Sequence, residues 1–209
     1  MNTYVITIAR GFGSGGKAIG QALGKRLGIP CFEEEILRMA SEESGVNEAL
    51  FNEVDEKLRG SFLLNHLKSE PKHRLAHPSD KDFTSDNNLF NLQAKIITEL
   101  AKTQSCIIVG KCADYVLGDA PNVVKIYIEA PRKECLESIM EKRQVSKKEA
   151  ERLIVRTDKY RADYYKYYTG GGYWTNPTNY DMTLNSARVG REKCVDVIIN
   201  YLKLKELID

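Results

Sequence analysis

Two hydrophobic rhythms alternate along this chain. The first is the short apolar run, which opens at Tyr4 with Val5, Ile6 and Ile8, β-branched positions that suit a strand. It returns at 29–32, at Cys106-Ile-Ile-Val109, at 123–128 and at 180–184. The run at 106–109 is continuous rather than alternating, as in a strand covered on both faces. The second rhythm is helical. Ile19, Leu23 and Leu27 recur at four-residue steps with Ala22 beside them, and Gly28 and Pro30 close the stripe. Residues 36–64 carry a helical pattern broken at Gly45 and Gly60, and Leu92, Ile96, Ile97 and Leu100 rebuild such a face. Two helices are expected after Ala130-Pro131, the second opening on the capping box Ser146-x-x-Glu149. A last amphipathic helix, 189–204, carries Cys194, Val195, Ile198, Tyr201 and Leu202. Between the rhythms, 66–88 is polar, holds two prolines and shows no period, which predicts a mobile loop.

Strands separated by helices predict an α/β fold with a parallel sheet and right-handed crossovers. Ligands in such sheets bind at the carboxyl ends of the strands. There the first run ends in a glycine-rich turn, Gly11-Phe-Gly13-Ser14-Gly15-Gly16-Lys17. The spacing Gly11-x-x-x-x-Gly16-Lys17 is that of a P-loop, in which backbone N–H groups converge on phosphate and the lysine adds a point charge. The helix behind it aims its positive end at the same anion. Ala18 stands where a P-loop places the Ser or Thr that touches Mg²⁺. The same turn also spells Gly11-x-Gly13-x-x-Gly16, a dinucleotide fingerprint with Glu33 to Glu35 at the expected distance of ~20 residues. Lys17 favours triphosphate chemistry. So does the stretch of some 70 largely helical and polar residues before the next strand, where a dinucleotide fold would continue strand–helix–strand.

Bulk properties narrow the partners. A length of 209 residues suits one well-buried domain, and a net charge of +2 is too small to predict nucleic acid or anionic membrane as a partner. No apolar run approaches the ~20 residues of a membrane span and no leader precedes the first strand, so a cytoplasmic location is expected. The five cysteines are scattered and read as small core residues, and the three histidines, His66, His73 and His77, lie together in the polar stretch.

Four phrases in order carry a resemblance: ARGFGSGGKAIG, LGIPCFEEEIL, IIVGKCADYVL, and TDKYRADYYKYYTG followed by NYDMTLNS. Together they resemble the cytidylate kinase-like proteins, a branch of the P-loop nucleoside monophosphate kinases, from Tyr4 to about Tyr201 with 65–88 unmatched. The resemblance implies a three-layer fold with a five-stranded parallel sheet: a core of 1–33, 89–142 and 179–209, a helical acceptor lobe with its loop at 34–88, and a lid at 143–178. It implies ATP with Mg²⁺ as donor and a pyrimidine monophosphate, CMP or dCMP, as acceptor. Gly11, Gly13, Ser14, Gly15, Gly16, Lys17, Ala18 and Arg143 would bind ATP. Glu33, Arg38, Lys111, Asp114 and Asp158 would face the acceptor, and Lys17, Arg156 and Arg161 would act on the phosphate in transfer.

Three positions depart from that pattern. Ala18 removes a metal-binding hydroxyl, Glu33 replaces an aspartate, and Lys111 replaces an arginine, a point charge for a bidentate fork. No residue is assigned as a certain metal ligand, and Mg²⁺ would be held through water by Glu33 or Asp114. These departures keep a second reading open, a nucleotide-binding sensor with impaired catalysis. Bland readings stand beside the sharp ones. Arg156, Asp158 and Arg161 form a surface ion-pair helix as readily as a lid, with Asp158 and Arg161 at i,i+3. Glu33 to Glu35 suit a helix N-terminus. The aromatic cluster Tyr160, Tyr164, Tyr165, Tyr167, Tyr168, Tyr173 and Trp174 reads first as packing and second as a base-stacking surface.

Overall fold

The computed structural model describes residues 3–51 and 85–209. Five strands, β1 (Val5–Arg10), β2 (Cys31–Phe32), β3 (Cys106–Val109), β4 (Val123–Glu129) and β5 (Met182–Asn185), form one sheet in the order β2-β3-β1-β4-β5. Every adjacent pair is parallel. β1 lies at the centre, with Val5 opposite Cys106 on one side and Val123 on the other.

The helices that lie wholly within the described residues are α1 (Gly16–Leu27), α2 (Glu35–Ser44), α3 (Asp86–Thr103), α4 (Ala113–Val116), α5 (Arg132–Arg143), α6 (Lys147–Tyr168), α7 (Ser186–Val189) and α8 (Arg191–Leu204), and residues 48–51 are helical as well. On one face of the sheet Ile19 and Leu23 of α1 meet Cys194, Ile198 and Leu202 of α8 over Ile6, Ile8, Ile107 and Ile126. On the other, Ile36, Ile97 and Tyr168 from α2, α3 and α6 bury Val5, Cys106 and Ile108. Two-sided burial accounts for the continuous apolar character of β3, each of whose residues is worth about 2 kcal/mol of transfer free energy when fully covered. The three-layer fold and five-stranded parallel sheet expected from the sequence are present.

Local differences from the sequence reading have physical causes. α3 begins inside the predicted 66–88 loop, because the Ser85 hydroxyl accepts from Asn88 N–H at 3.3 Å and caps the helix. The rest of that loop up to residue 84, the three histidines, and the predicted helical stretch from residue 52 lie outside the described residues. β2 is shorter than 29–32, since Ile29 N–H turns back to Gly24 O at 3.0 Å. The last strand starts at Met182 rather than Tyr180, whose N–H is spent on Pro177 O in a short 3₁₀ turn. Gly190 divides the last helix into α7 and α8. Ser146 caps α6 as its capping box predicts, accepting from Glu149 N–H at 3.3 Å.

The aromatic cluster is mostly packing. Tyr164, Tyr165, Tyr168 and Trp174 are buried, and Tyr168 stacks on Phe90 with ring centroids 3.9 Å apart. Tyr173 alone of the cluster is largely exposed. All five cysteines are free thiols, four of them buried. Among the described residues no helix is long and apolar enough to cross a membrane.

Candidate functional site

Four strands end on one edge of the sheet, and each delivers a feature there. β1 runs into the glycine turn and α1, β2 into Glu33, β3 into Gly110-Lys111, and β4 ends at Glu129. Gly13 and Gly15 have φ of 94° and 87°, a left-handed backbone that other residues adopt at a cost, so the turn depends on them. Ser14 is buried, with its hydroxyl donating to Gly11 O at 2.8 Å. Its carbonyl accepts from the Ser186 hydroxyl at 2.5 Å, tying the turn to the start of α7. Ala18 lies in the first turn of α1.

Lys17 is half-exposed, and its Nζ is 2.5 Å from Oε2 of Glu33. The other carboxylate oxygen, Oε1, accepts from Arg10 Nη2 at 2.8 Å. Burial alone would raise the Glu33 carboxyl, but the Arg10 and Lys17 charges outweigh it and hold the group below the ordinary carboxylate range. The contact with Glu33 raises Lys17 in return. Arg10 closes β1 and was absent from the residues expected at the site. Its signal in the sequence is a charged residue terminating a buried strand immediately before a phosphate-type turn.

α6 reaches the turn from above. Asp158 Oδ1 accepts from Phe12 N–H at 2.8 Å, and Arg161 Nη1 donates to Arg10 O at 2.8 Å. Arg161 also lies over the Phe12 ring, 5.6 Å from its centroid, and 3.7 Å from Asp158. These two residues are therefore not a surface pair. Burial and the neighbouring Arg10 charge push the Arg161 guanidinium down to about 9, and burial raises the Asp158 carboxyl. Arg161 sits against the turn in this structure.

The remaining expected residues lie elsewhere or at the margin. Arg38 is exposed on α2 and pairs with Glu42 at 3.5 Å. Arg143 and Arg156 are exposed and form no ion pair among the described residues. Lys111, half-buried, has a left-handed φ of 59°. Asp114 is only 6% exposed, and its Oδ2 accepts from the Tyr165 hydroxyl at 2.8 Å, inside the core rather than at the turn. Burial raises its carboxyl. The structure thus brings together Gly11 to Lys17, Glu33, Asp158 and Arg161, and adds Arg10. It does not bring Arg38, Arg143, Arg156 or Asp114 to that cluster.

For a divalent cation, Glu33 offers a carboxylate oxygen beside the P-loop lysine. Ala18 has no side-chain oxygen, the Ser14 hydroxyl is buried against Gly11 O, and Asp114 is enclosed. Oε2 of Glu33 is buried, and its partner is Lys17, whose Nζ lies 2.5 Å away. That oxygen suits a hydrated cation. No cluster of three or more His, Cys, Asp or Glu with metal-binding geometry occurs among the described residues.

The model of the cytidylate kinase-like family matches residues 5–188. No curated protein matches the chain. Among solved structures, an uncharacterised protein from Eubacterium ventriosum superposes with a TM-score of 0.70 at 24% identity, over 96% of this chain and 99% of that one. The shikimate kinase from Bacteroides thetaiotaomicron does so with a TM-score of 0.51 at 14% identity, over 96% and 98%. At these identities the likeness is one of fold.

Proposed function

This chain belongs to the cytidylate kinase-like family, and from that premise we propose that it transfers the γ-phosphoryl group of ATP to a nucleoside monophosphate, CMP or dCMP. One observation carries the reading: a glycine turn and its lysine at the end of the central strand, with an acidic side chain following β2, the edge strand beyond β3, 2.5 Å from the lysine. Phosphoryl transfer asks a protein mainly to position reactants and offset spreading charge. The N–H groups of the turn and Lys17 hold the donor phosphates in this reading. Arg161, already at the turn, places guanidinium charge on the oxygens in flight, and Asp158 keeps the turn in shape through Phe12 N–H. Arg156, exposed on the same helix, reaches the site only if α6 moves. Mg²⁺, when bound, neutralises the donor phosphates, and Glu33 would hold it through water.

A second reading rests on Ala18. Without the hydroxyl, a protein of this shape that binds nucleotide but turns over slowly would serve as a sensor. A coupled ADP-release assay across the common nucleoside monophosphates tests the two readings. ADP formation that depends on CMP or dCMP supports the kinase. ATP binding with no acceptor-dependent ADP supports the sensor, and activity only with a non-nucleotide acceptor overturns the acceptor assignment.

A further inference from the structure

Glu33 carries two cations, one on each oxygen, and they differ in freedom. Lys17 on Oε2 is 53% exposed and stands on a flexible stem. Arg10 on Oε1 is 16% exposed and confined along its length. A Cβ on Gly16 would stand 2.5 Å from the Arg10 Cβ, and one on Gly110 would collide with its Nη1. Gly16, at the start of α1, therefore leaves room for the stem of Arg10, and Gly110, after the end of β3, leaves room for its guanidinium. Cys31, Glu34, Glu35 and Arg161 complete the charged and titratable surroundings of Glu33.

We propose that Arg10 is a positioning residue that frees the P-loop lysine: by holding Glu33 through Oε1, it lets Lys17 leave Oε2 for a phosphate without stranding a buried carboxylate. The proposal rests on the reading of the turn as a phosphate site. Breaking a buried ion pair is strongly unfavourable because the remaining charge keeps its desolvation cost without its partner. With Lys17 alone on Glu33, each phosphate-binding event would carry that cost. With Arg10 fixed on the far oxygen, the carboxylate stays compensated when Lys17 swings away. Oε2 is then left facing the cleft, still ionised and still aimed. Arg10 does not touch the phosphate in this scheme and acts only through Glu33.

The test is calorimetric titration of the full chain with inorganic tripolyphosphate, with ATP in parallel, for wild type, Arg10→Gln, Glu33→Gln and the double variant, each checked for Tm. Sharing of the carboxylate predicts an asymmetric cycle. Arg10→Gln should weaken tripolyphosphate binding by about tenfold or more, because Glu33 then retains Lys17. Glu33→Gln alone should strengthen it by less than about threefold, since Arg10 already offsets the carboxylate, and the double variant should return to within about threefold of wild type. Equal and opposite single effects would mean a simple field effect of two charges and would overturn the proposal. So would wild-type affinity in a stable Arg10→Gln protein, or a wild type that binds no tripolyphosphate. Should Arg10→Gln fail to fold, the Glu33→Gln arm decides, a tenfold gain there meaning that Glu33 still restrains Lys17. Tripolyphosphate binding without ATP binding would refute the nucleotide reading and leave the Arg10 cycle to be read on its own.

Discussion

Lys17 and Ala18 sit side by side at the start of α1, and their substitutions separate fold from chemistry. Lys17→Ala should abolish turnover while shifting stability by no more than about 1 kcal/mol, because its ion pair is half-exposed and Glu33 keeps Arg10. Matched denaturation midpoints with lost activity would bear this out. Ala18→Ser should lower the Mg²⁺ concentration needed for half-maximal activity if the missing hydroxyl is a handicap, and an unchanged requirement would mean that the metal is held elsewhere. At this scale the sequence was informative about the turn, whose glycines and lysine act through spacing along a few residues. It was silent on Arg10, because a charge at a strand end acquires meaning only when β3 lies beside it and brings Glu33, at the end of β2, within reach. Arg38 and Arg143 show the converse: basic residues on helices are common, and nothing local distinguishes one that faces a ligand from one that faces solvent.

α6 is the element whose meaning changed most between sequence and structure. Its Asp158 and Arg161 read equally well as a lid or as an exposed ion pair, since helical spacing cannot tell what lies opposite. In the fold they clamp the glycine turn, through Phe12 N–H and Arg10 O. Asp158→Ala would leave Phe12 N–H without its acceptor and should cost about 1–3 kcal/mol in urea unfolding, whereas Asp158→Asn keeps an acceptor and should cost less. Arg161→Ala should lower kcat by on the order of 10³, by analogy with arginine fingers, with a much smaller change in ATP affinity. Unlike a surface residue, Arg161 should also lose stability when removed, so turnover must be measured well below the lowered Tm. Arg156→Ala should leave Tm unchanged, and a fall in kcat for that variant would show that α6 moves during the reaction.

Asp114 on α4 offers a test by pH. Its carboxyl is raised from 3.8 by burial, so the folded chain holds that proton more tightly than the unfolded one. Stability from this group is present below pH 3.8 and is lost as pH rises through the raised folded value. Urea midpoints of wild type and Asp114→Asn should therefore diverge as pH increases across that window, with wild type falling relative to the variant. A constant difference would mean that the carboxyl stays ionised against Tyr165.

For the molecule as a whole, nucleotide binding should be visible in stability. A ligand specific for the native state contributes about 2.7 kcal/mol at a hundred times its Kd. In a chain of 209 residues that corresponds to roughly 5–10 °C in Tm. ATP should produce this shift and NAD should not, and the reverse pattern would return the glycine turn to its dinucleotide reading. Much of the architecture was open to the eye in the sequence, because two-sided burial writes continuous apolar strands and α1 writes a clean four-residue stripe. The boundaries were less so. Ser85, Gly190 and the 3₁₀ turn at Pro177 moved element ends by a few residues through hydrogen bonds that no periodicity reveals.

The central place of β1 also bears on how the chain is made. Its partners are Cys106 onward and Val123 onward, so β1, once it has left the ribosome, finds no strand partner until about 100 further residues have followed. At synthesis rates of roughly 5–20 residues per second, that is a wait of about 5–20 seconds. Throughout it, Val5, Ile6 and Ile8, fully buried in the finished sheet, stand exposed on a strand with two open edges. Nascent chains stalled before residue 106 should therefore engage hydrophobic-binding chaperones through this segment, and chains stalled after β4 has emerged should release them.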